Sequence, residues 1–408
     1  MRRYEPVAVI GVSALVASAM ALVAPAMALA VTHIPSAGAR PPASWQVRVL
    51  AQNQVVTVNG TPFSVSKPDD LTQLGGHLFV SYQNGVGPQG EPTPSGVDFS
   101  TVAEYSLGGS LTRSWDLTGK VDGITADTET GKVIATVNED GNSSIYTIDP
   151  EAERARQVVH YEYSPANPLP HGGGTDAIAI FHGQVLVSAS ARGTVPATAA
   201  NPPAVYQVRL QKTPGTQTGT ATLTSVFGDN SSAMVANTAT PPQTALSPSP
   251  PSWCAPGATT CTTPAEGSSV ALALTDPDSS EVVPYASPRF GGDYVLDSQG
   301  DQQLIFMAKD GSLSDLFLNQ SIDDTGYIAF TGQTLYATDA TANAVIAVKG
   351  PVSAGDAITV ATPSGANNAV NANDYFATLN LSNGDVEAIP ALASWQPKSL
   401  IVGSRGDD

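Results

Sequence analysis

Charge is scarce in this chain. Only 13% of its 408 residues are Asp, Glu, Lys or Arg, and the balance is acidic, with 36 acidic side chains against 18 basic ones. Clustered Lys and Arg, which a phosphate backbone demands of its partner, are missing, so nucleic acid is excluded as a ligand. The sparse negative charge serves solubility. Histidine is also rare, and His33, His77, His160, His171 and His182 show neither His-x-x-x-His nor His-Glu-x-x-His spacing. No Gly-rich phosphate loop opens a helix, so nucleotide binding has no support. Aromatic residues make up 6% of the chain, and Trp45, Trp115, Trp253 and Trp395 are scattered, which suits core positions. There are two cysteines, Cys254 and Cys261, in Trp-Cys-Ala-Pro-Gly-Ala-Thr-Thr-Cys. Two thiols with no histidine nearby cannot complete a metal site, and in an exported chain so close a pair is expected to form a local disulfide.

The one long apolar run lies at the beginning. Arg2 and Arg3 precede an apolar stretch from Val7 to Val23, followed by Ala24-Pro-Ala-Met-Ala-Leu-Ala30. A short basic end, an apolar core and small residues at Ala28 and Ala30 form the pattern of a secretory signal peptide. Residues 1–30 are therefore expected to be removed and the protein to be secreted, with no membrane span left after cleavage. The expected organisation continues with a linker over 31–43 and one domain over 44–402. A Pro/Ser/Thr-rich insertion covers 238–266, and 403–408 form a disordered tail. The Arg405-Gly-Asp407 tripeptide falls on that tail and reads as chance.

What the chain does have is repetition. Gly-His-Leu-Phe-Val-Ser-Tyr from Gly76 is echoed from Gly131 (Gly-Lys-Val-Ile-Ala-Thr-Val), Gly183 (Gly-Gln-Val-Leu-Val-Ser-Ala), Gly292 (Gly-Asp-Tyr-Val-Leu-Asp-Ser) and Gly332 (Gly-Gln-Thr-Leu-Tyr-Ala-Thr). A sixth echo, Asn373-Asp-Tyr-Phe-Ala-Thr-Leu, has Asn in place of Gly. Most continue through a polar loop into a second strand, such as Ser144-Ile-Tyr-Thr-Ile148 or Ala344-Val-Ile-Ala-Val348. Short strands between Gly, Asp and Asn turns, with almost no helical periodicity, predict an all-β β-propeller of four-stranded blades. Six echoes predict six blades. Seven is the alternative, with Val270–Asp276 as a further strand. Ring closure is expected to pair Gln46–Leu50 and Val55–Val58 with a strand near Lys398–Val402.

His171-Gly-Gly-Gly-Thr-Asp176 admits two readings. His-Gly-Gly-Gly builds the oxyanion hole of some esterases, but such an enzyme also needs Gly-x-Ser-x-Gly on a strand-to-helix turn, and the sequence has none. The stretch therefore reads as a turn into an inner strand.

Asp122-Gly-Ile-Thr-Ala-Asp, Asn138-Glu-Asp-Gly-Asn-Ser-Ser-Ile-Tyr-Thr-Ile, Gly172-Gly-Gly-Thr-Asp-Ala-Ile, Leu274-Thr-Asp-Pro-Asp-Ser-Ser-Glu-Val-Val-Pro and Ser298-Gln-Gly-Asp resemble an uncharacterised family of secreted actinobacterial propeller proteins. In architecture the chain is also similar to gluconolactonase/regucalcin-like and NHL-type propellers. The first resemblance implies the fold but no activity. The second implies a metal in the central channel and a lactone or ester substrate.

Asp70, Asp122, Asp176 and Asp324 each precede an expected inner strand and are expected to ring the channel mouth, with His171 beside them. Converging carboxylates favour a cation, a proton, or a cationic or polyhydroxylated ligand. Asp122, Asp176 and Asp324 are the candidate calcium ligands. The other reading makes each Asp an acceptor for the backbone N–H groups of its own turn. No inner-strand Glu stands out as a ligand, a departure from the lactonase pattern. The remaining acidic clusters, Asp127–Gly131, Asn138–Asn142, Asp276–Glu281 and Asp297–Asp301, read as hairpin turns. The sequence thus predicts a monomeric scaffold for a small-molecule or cell-envelope ligand, the alternative being a calcium-dependent hydrolase.

Overall fold

The computed structural model describes residues 42–166, 169–190, 201–237, 264–272, 274, 276–362 and 373–404. The expected signal segment, Cys254, Cys261, residues 238–263 of the expected insertion and Arg405–Asp408 lie outside the described residues. Among the described residues no helix is long and apolar enough to cross a membrane.

The described chain is all-β, with sheets in a propeller-like arrangement. The first sheet is a meander of β4 (Pro68–Leu74), β5 (His77–Tyr82), β6 (Phe99–Ser106) and β7 (Leu111–Thr118). The next two meanders are β8 (Val121–Asp127), β9 (Lys132–Val137), β10 (Ser144–Ile148) and β11 (Val158–Ser164), then β12 (Thr175–Phe181), β13 (Gln184–Ala189), β14 (Pro203–Lys212) and β15 (Thr218–Gly228). They are not separate sheets. Their outer strands β11 and β15 pair in parallel, from His160 against Thr218 to Ser164 against Thr222, and make one sheet of eight.

The fourth meander, β18 (Pro277–Val282), β19 (Tyr294–Ser298), β20 (Gln303–Met307) and β21 (Leu313–Phe317), is widened to six strands by the hairpin β16 (Ser232–Val235) and β17 (Ser269–Ala271). Val270 therefore belongs to an edge hairpin and not to a further repeat. A separate hairpin joins β2 (Val55–Val58) to β3 (Thr61–Ser64).

The last two sheets are interleaved. The chain lays down β22 (Ile322–Tyr327) in one and β23 (Leu335–Asp339) and β24 (Ala344–Lys349) in the other. It returns to the first for β25 (Ala357–Ala361), β26 (Tyr375–Asn380) and β27 (Asp385–Ala388), then ends in the second with β28 (Leu400–Val402). The order of that closing sheet is β28-β23-β24-β1, where β1 is Gln46–Gln52. The first and last strands thus share the closing sheet but do not pair with each other as expected: β1 pairs with β24 and β28 with β23, and Val55–Val58 takes no part. The echo at Asn373 falls on a third strand, β26, whereas the others fall on second strands. The crossing of the chain between two sheets breaks the repeat there.

The inner strands β4, β8, β12, β18, β22 and β28 are neighbours in a closed cycle, each packed beside the next and β28 beside β4. Between the sheets lie dry layers of apolar side chains, such as Leu296, Ile305, Phe181 and Leu186 on one side of the fourth sheet and Val295, Leu304, Leu316 and Ile322 on the other. Burial of both faces of every sheet is what makes a ring of this kind stable.

Candidate functional site

Each inner strand opens on the same short pattern. Aligned by position they read Pro68-Asp69-Asp70-Leu71, Val121-Asp122-Gly123-Ile124, Thr175-Asp176-Ala177-Ile178, Pro277-Asp278-Ser279-Ser280, Ile322-Asp323-Asp324-Thr325 and Pro397-Lys398-Ser399-Leu400. On the first five strands the pairing with the next strand slips at this place, as between Val121 and Ile124 or Thr175 and Ile178. Such a bulge inserts an unpaired residue and re-aims its side chain. Here it delivers an aspartate to the wall of a central cavity of about 800 Å³, and Lys398 takes the corresponding place just before the sixth strand.

Asp70, Asp122, Asp176 and Asp324 all line this cavity. They do not form one ring. The partners of Asp122 and Asp176 by position are Asp69, Asp278 and Asp323, while Asp70 and Asp324 lie one residue further along their strands. Asp276–Glu281 is not a hairpin turn: Pro277–Val282 is the inner strand β18, and it brings Asp278 and Glu281 to the cavity wall. An inner-strand Glu is therefore present after all. Asp297 likewise lies on β19 and not in a turn. His171 is not a cavity residue. It is buried, and since Nε2 meets the Gly174 carbonyl at 2.7 Å it must carry the proton, leaving Nδ1 to accept from the Tyr206 hydroxyl at 2.8 Å. Of the glycines after it, Gly172 takes a positive φ of 89° and Gly174 serves packing. A Cβ on Gly174 would lie 2.1 Å from Ser143 Oγ and 2.3 Å from the Asn138 carbonyl.

Two lysines balance part of the outer ring. Lys398 Nζ lies 2.7 Å from both oxygens of Asp323, and Gln299 Nε2 donates to Asp323 at 2.8 Å and to Asp278 at 3.0 Å. Burial works against charge on Asp323, but Lys398 and these hydrogen bonds prevail and hold its carboxyl below the usual range. Lys120 Nζ lies 2.8 Å from Asp122 Oδ1 and also pairs with Glu139. Asp122 Oδ1 further accepts from Gln83 at 3.2 Å, while its buried Oδ2 has no hydrogen-bond partner among the described residues. Burial, countered by Lys120, pushes Asp122 well up, and burial also raises Asp69 to about 6.

One step deeper, Ser399 Oγ lies 2.8 Å from Asp70 Oδ1 and 2.6 Å from Asp324 Oδ2. A hydroxyl carries one proton, so both contacts are satisfied only when one of the two carboxyls holds a proton. Burial raises both, Asp324 to about 6. Backbone N–H groups complete the pair: Leu71 and Ile124 donate to Asp70 at 2.7 and 2.8 Å, Thr325 and Leu400 to Asp324 at 2.7 and 2.8 Å. The turn-acceptor reading holds for these two, with donors drawn from the neighbouring sheet as well as their own.

Hydroxyls on the second strands lock the bulges. Ser81 bonds the Asp70 backbone, Thr136 the Gly123 backbone and the Asp176 carbonyl, and Ser188 the Ala177 N–H and the Pro277 carbonyl. Thr338 bonds the Ser399 N–H and the Asp69 carbonyl, and Thr359 the Asp324 carbonyl. Opposite the fifth bulge stands Val360, with Thr359 one place further along, and opposite the fourth stands Asp297, 2% exposed, whose two oxygens have no hydrogen-bond partner among the described residues. No motif signals this substitution. It emerges only once the second strands are aligned by sheet.

No protein-family model matches the chain, and no curated protein matches it, so the resemblance to secreted actinobacterial propellers gains no support there. Among solved structures it is similar to a Bacteroides caccae protein of unknown function, at 10% identity over 88% of this chain and 98% of that one, with a TM-score of 0.39. It is also similar to a putative gluconolactonase (12% identity, 77% and 97% covered, TM-score 0.35) and to virginiamycin B lyase from Staphylococcus aureus (10%, 75% and 99%, 0.30). Likenesses this distant carry no activity across. The fold rests on the strand pairing.

Proposed function

We propose that the protein is a secreted six-bladed propeller whose central cavity binds a small organic cation. In this reading Met1–Ala30 directs export, the eight-stranded sheet counts as two blades joined at their outer edges, and the mature protein is a monomer. The closed cycle of six inner strands supports the blade number. The observation that carries the ligand class is the excess of carboxylate over cation at the cavity. Asp69, Asp70, Asp122, Glu139, Asp176, Asp278, Glu281, Asp323 and Asp324 line it against Lys120 and Lys398 alone. Both lysines are engaged, and Asp122 Oδ2 is left without a donor. A ligand ammonium supplies the missing donors.

A calcium-dependent hydrolase of lactones or esters is the second reading, and Glu281 on an inner strand is the observation in its favour. Calorimetric titration separates the two. Methylamine and butylamine are expected to bind, to release protons from the raised carboxyls, and to bind at least tenfold more weakly to Asp122→Asn. Binding of calcium alone, followed by lactone or ester turnover, would favour the hydrolase and overturn the amine reading.

A further inference from the structure

The central cavity has two ends of different character, set by position along the inner strands. Where the strands begin, their opening aspartates and Lys398 line the wall. Asp122 is 5% exposed there, and its Oδ2 has no hydrogen-bond partner among the described residues. At the other end the same cavity is lined by Val282, which closes β18, Phe330, just after β22, and Val402, which closes β28. These three inner strands are consecutive in the cycle, so the side chains form one arc. Hydrogen bonds hold the arc together. The Phe330 N–H donates to Gln333 Oε1 at 2.6 Å, and Gln333 Nε2 donates to the Gly403 carbonyl at 2.6 Å. Gln73 Nε2 donates to Ser404 Oγ at 3.0 Å, and the Ser404 N–H returns to Gln73 Oε1 at 2.9 Å, which adds the end of β4 to the same mouth. Val282 and Phe330 are 37% and 44% exposed, whereas most apolar side chains of their size are buried in the layers between sheets. Carboxyls at this mouth stand on β8, opposite β22 in the cycle. There Asp127 accepts from the Glu129 and Thr130 N–H groups of its own turn at 3.1 and 3.2 Å, and Glu129 is exposed. Glu281 precedes Val282, one residue nearer the acidic end.

We propose that the ligand is an amphiphilic primary amine, with its ammonium at Asp122 and an unbranched alkyl chain running along the cavity to the arc of Val282, Phe330 and Val402. The inference rests on the amine reading of the cavity and names the class of amine. Asp278 holds on β18 the place that Asp122 holds on β8, and Val282 lies four residues beyond it, roughly 13 Å along an extended strand. The nitrogen and carbons of octylamine span roughly 10 Å when extended, with bonds of about 1.5 Å. A smaller cation leaves the arc facing water. An alkyl chain covers it, and each buried methylene raises affinity about fourfold. One charged end and one apolar end also fix which way round such a ligand lies. The carboxylate excess selects against a fatty acid, which offers the same chain with the wrong charge.

The test titrates the full mature protein with butylamine, octylamine and octanoate by calorimetry. Octylamine is expected to bind at least tenfold more tightly than butylamine, which is too short to reach the arc, and octanoate is expected not to bind. Val282→Ser and Phe330→Ser alter exposed side chains, so both variants should keep the melting temperature. Each should cut the octylamine advantage at least threefold with butylamine unaffected. Equal binding of octylamine and butylamine by the unaltered protein would overturn the alkyl path while leaving the amine reading intact. Retention of the full octylamine advantage by both variants would overturn it too. Binding of octanoate as tight as that of octylamine, with none of butylamine, would overturn both.

Discussion

Lys398 Nζ meets both carboxylate oxygens of Asp323 at 2.7 Å, joining the segment that leads into the last strand, β28, to the inner strand β22. The carboxylate is buried while the lysine side chain is 37% exposed, so the pair is part structural and part solvated. Removing the cation leaves a buried charge without its partner. Lys398→Met is expected to destabilise by about 2 kcal/mol, less than for a fully buried pair because water reaches the lysine. Urea unfolding of Lys398→Met, with the double variant Lys398→Met/Asp323→Asn recovering part of the loss, checks this.

Stability should fall as the pH rises through mild acidity. Asp69 and Asp324 are raised to about 6 by burial, from an ordinary value of 3.8. The folded state therefore holds these protons more tightly than the unfolded chain does between pH 4 and 6. Their contribution is complete below pH 4 and is lost as the pH passes 6, on the order of 2–3 kcal/mol for buried Asp324. Asp323, held low, acts in the opposite sense, and its contribution is lost as the pH falls below 4. Denaturant midpoints measured from pH 4 to 7 should decline, and Asp324→Asn should flatten the decline.

Gly174→Ala should be among the most damaging small substitutions in the chain. The added methyl would collide with Ser143 and with two backbone carbonyls, Asn138 and Glu139, which a rotamer change cannot relieve. A loss of roughly 3 kcal/mol or more, or failure to fold, is expected. Gly76→Ala, where a Cβ meets nothing within 4 Å, is the control and should change the melting temperature little.

The parallel pairing of β11 with β15 should make the second and third meanders exchange their amide hydrogens together. The amides of Glu162 and Ala221 lie on this seam, in line with the bond from the His160 N–H to the Gln217 carbonyl. Native-state hydrogen exchange should give them similar opening free energies, above those of the free edge strand β27.

Much of the architecture is legible in the sequence, because Gly and Asn turns punctuate short, β-rich apolar runs that repeat along the chain. Gly183 has φ +74° and His182 φ +50°, a left-handed pair that places a tight turn where the repeat predicts one. The site is legible only in part. Asp122 and Asp176 could be found by their place before a strand, but Asp278 sits in Pro-Asp-Ser-Ser, which has the composition of a loop and lacks the apolar residue that marks β8 and β12. The bulge excuses that strand from alternation, so its periodicity vanishes where its chemistry lies. Lys398 was hidden for another reason. It corresponds to five aspartates, and a repeat sought by residue type passes over an opposite charge at the same place. Asp-Ser-Gln-Gly-Asp has the composition of a turn, whereas its first two residues finish a strand and only the rest turn.

The interleaving of the last two sheets also sets the order of events at synthesis. While the ribosome still holds the residues after Lys349, β22 has emerged without β25, its partner in the finished sheet, and β23 and β24 await β28. Neither sheet can be finished until the other is nearly so, and β1, made at the start, stays unpaired until β24 arrives. Placement of Leu400–Val402 beside β23, rather than the appearance of any one sheet, is thus the step that completes the arrangement.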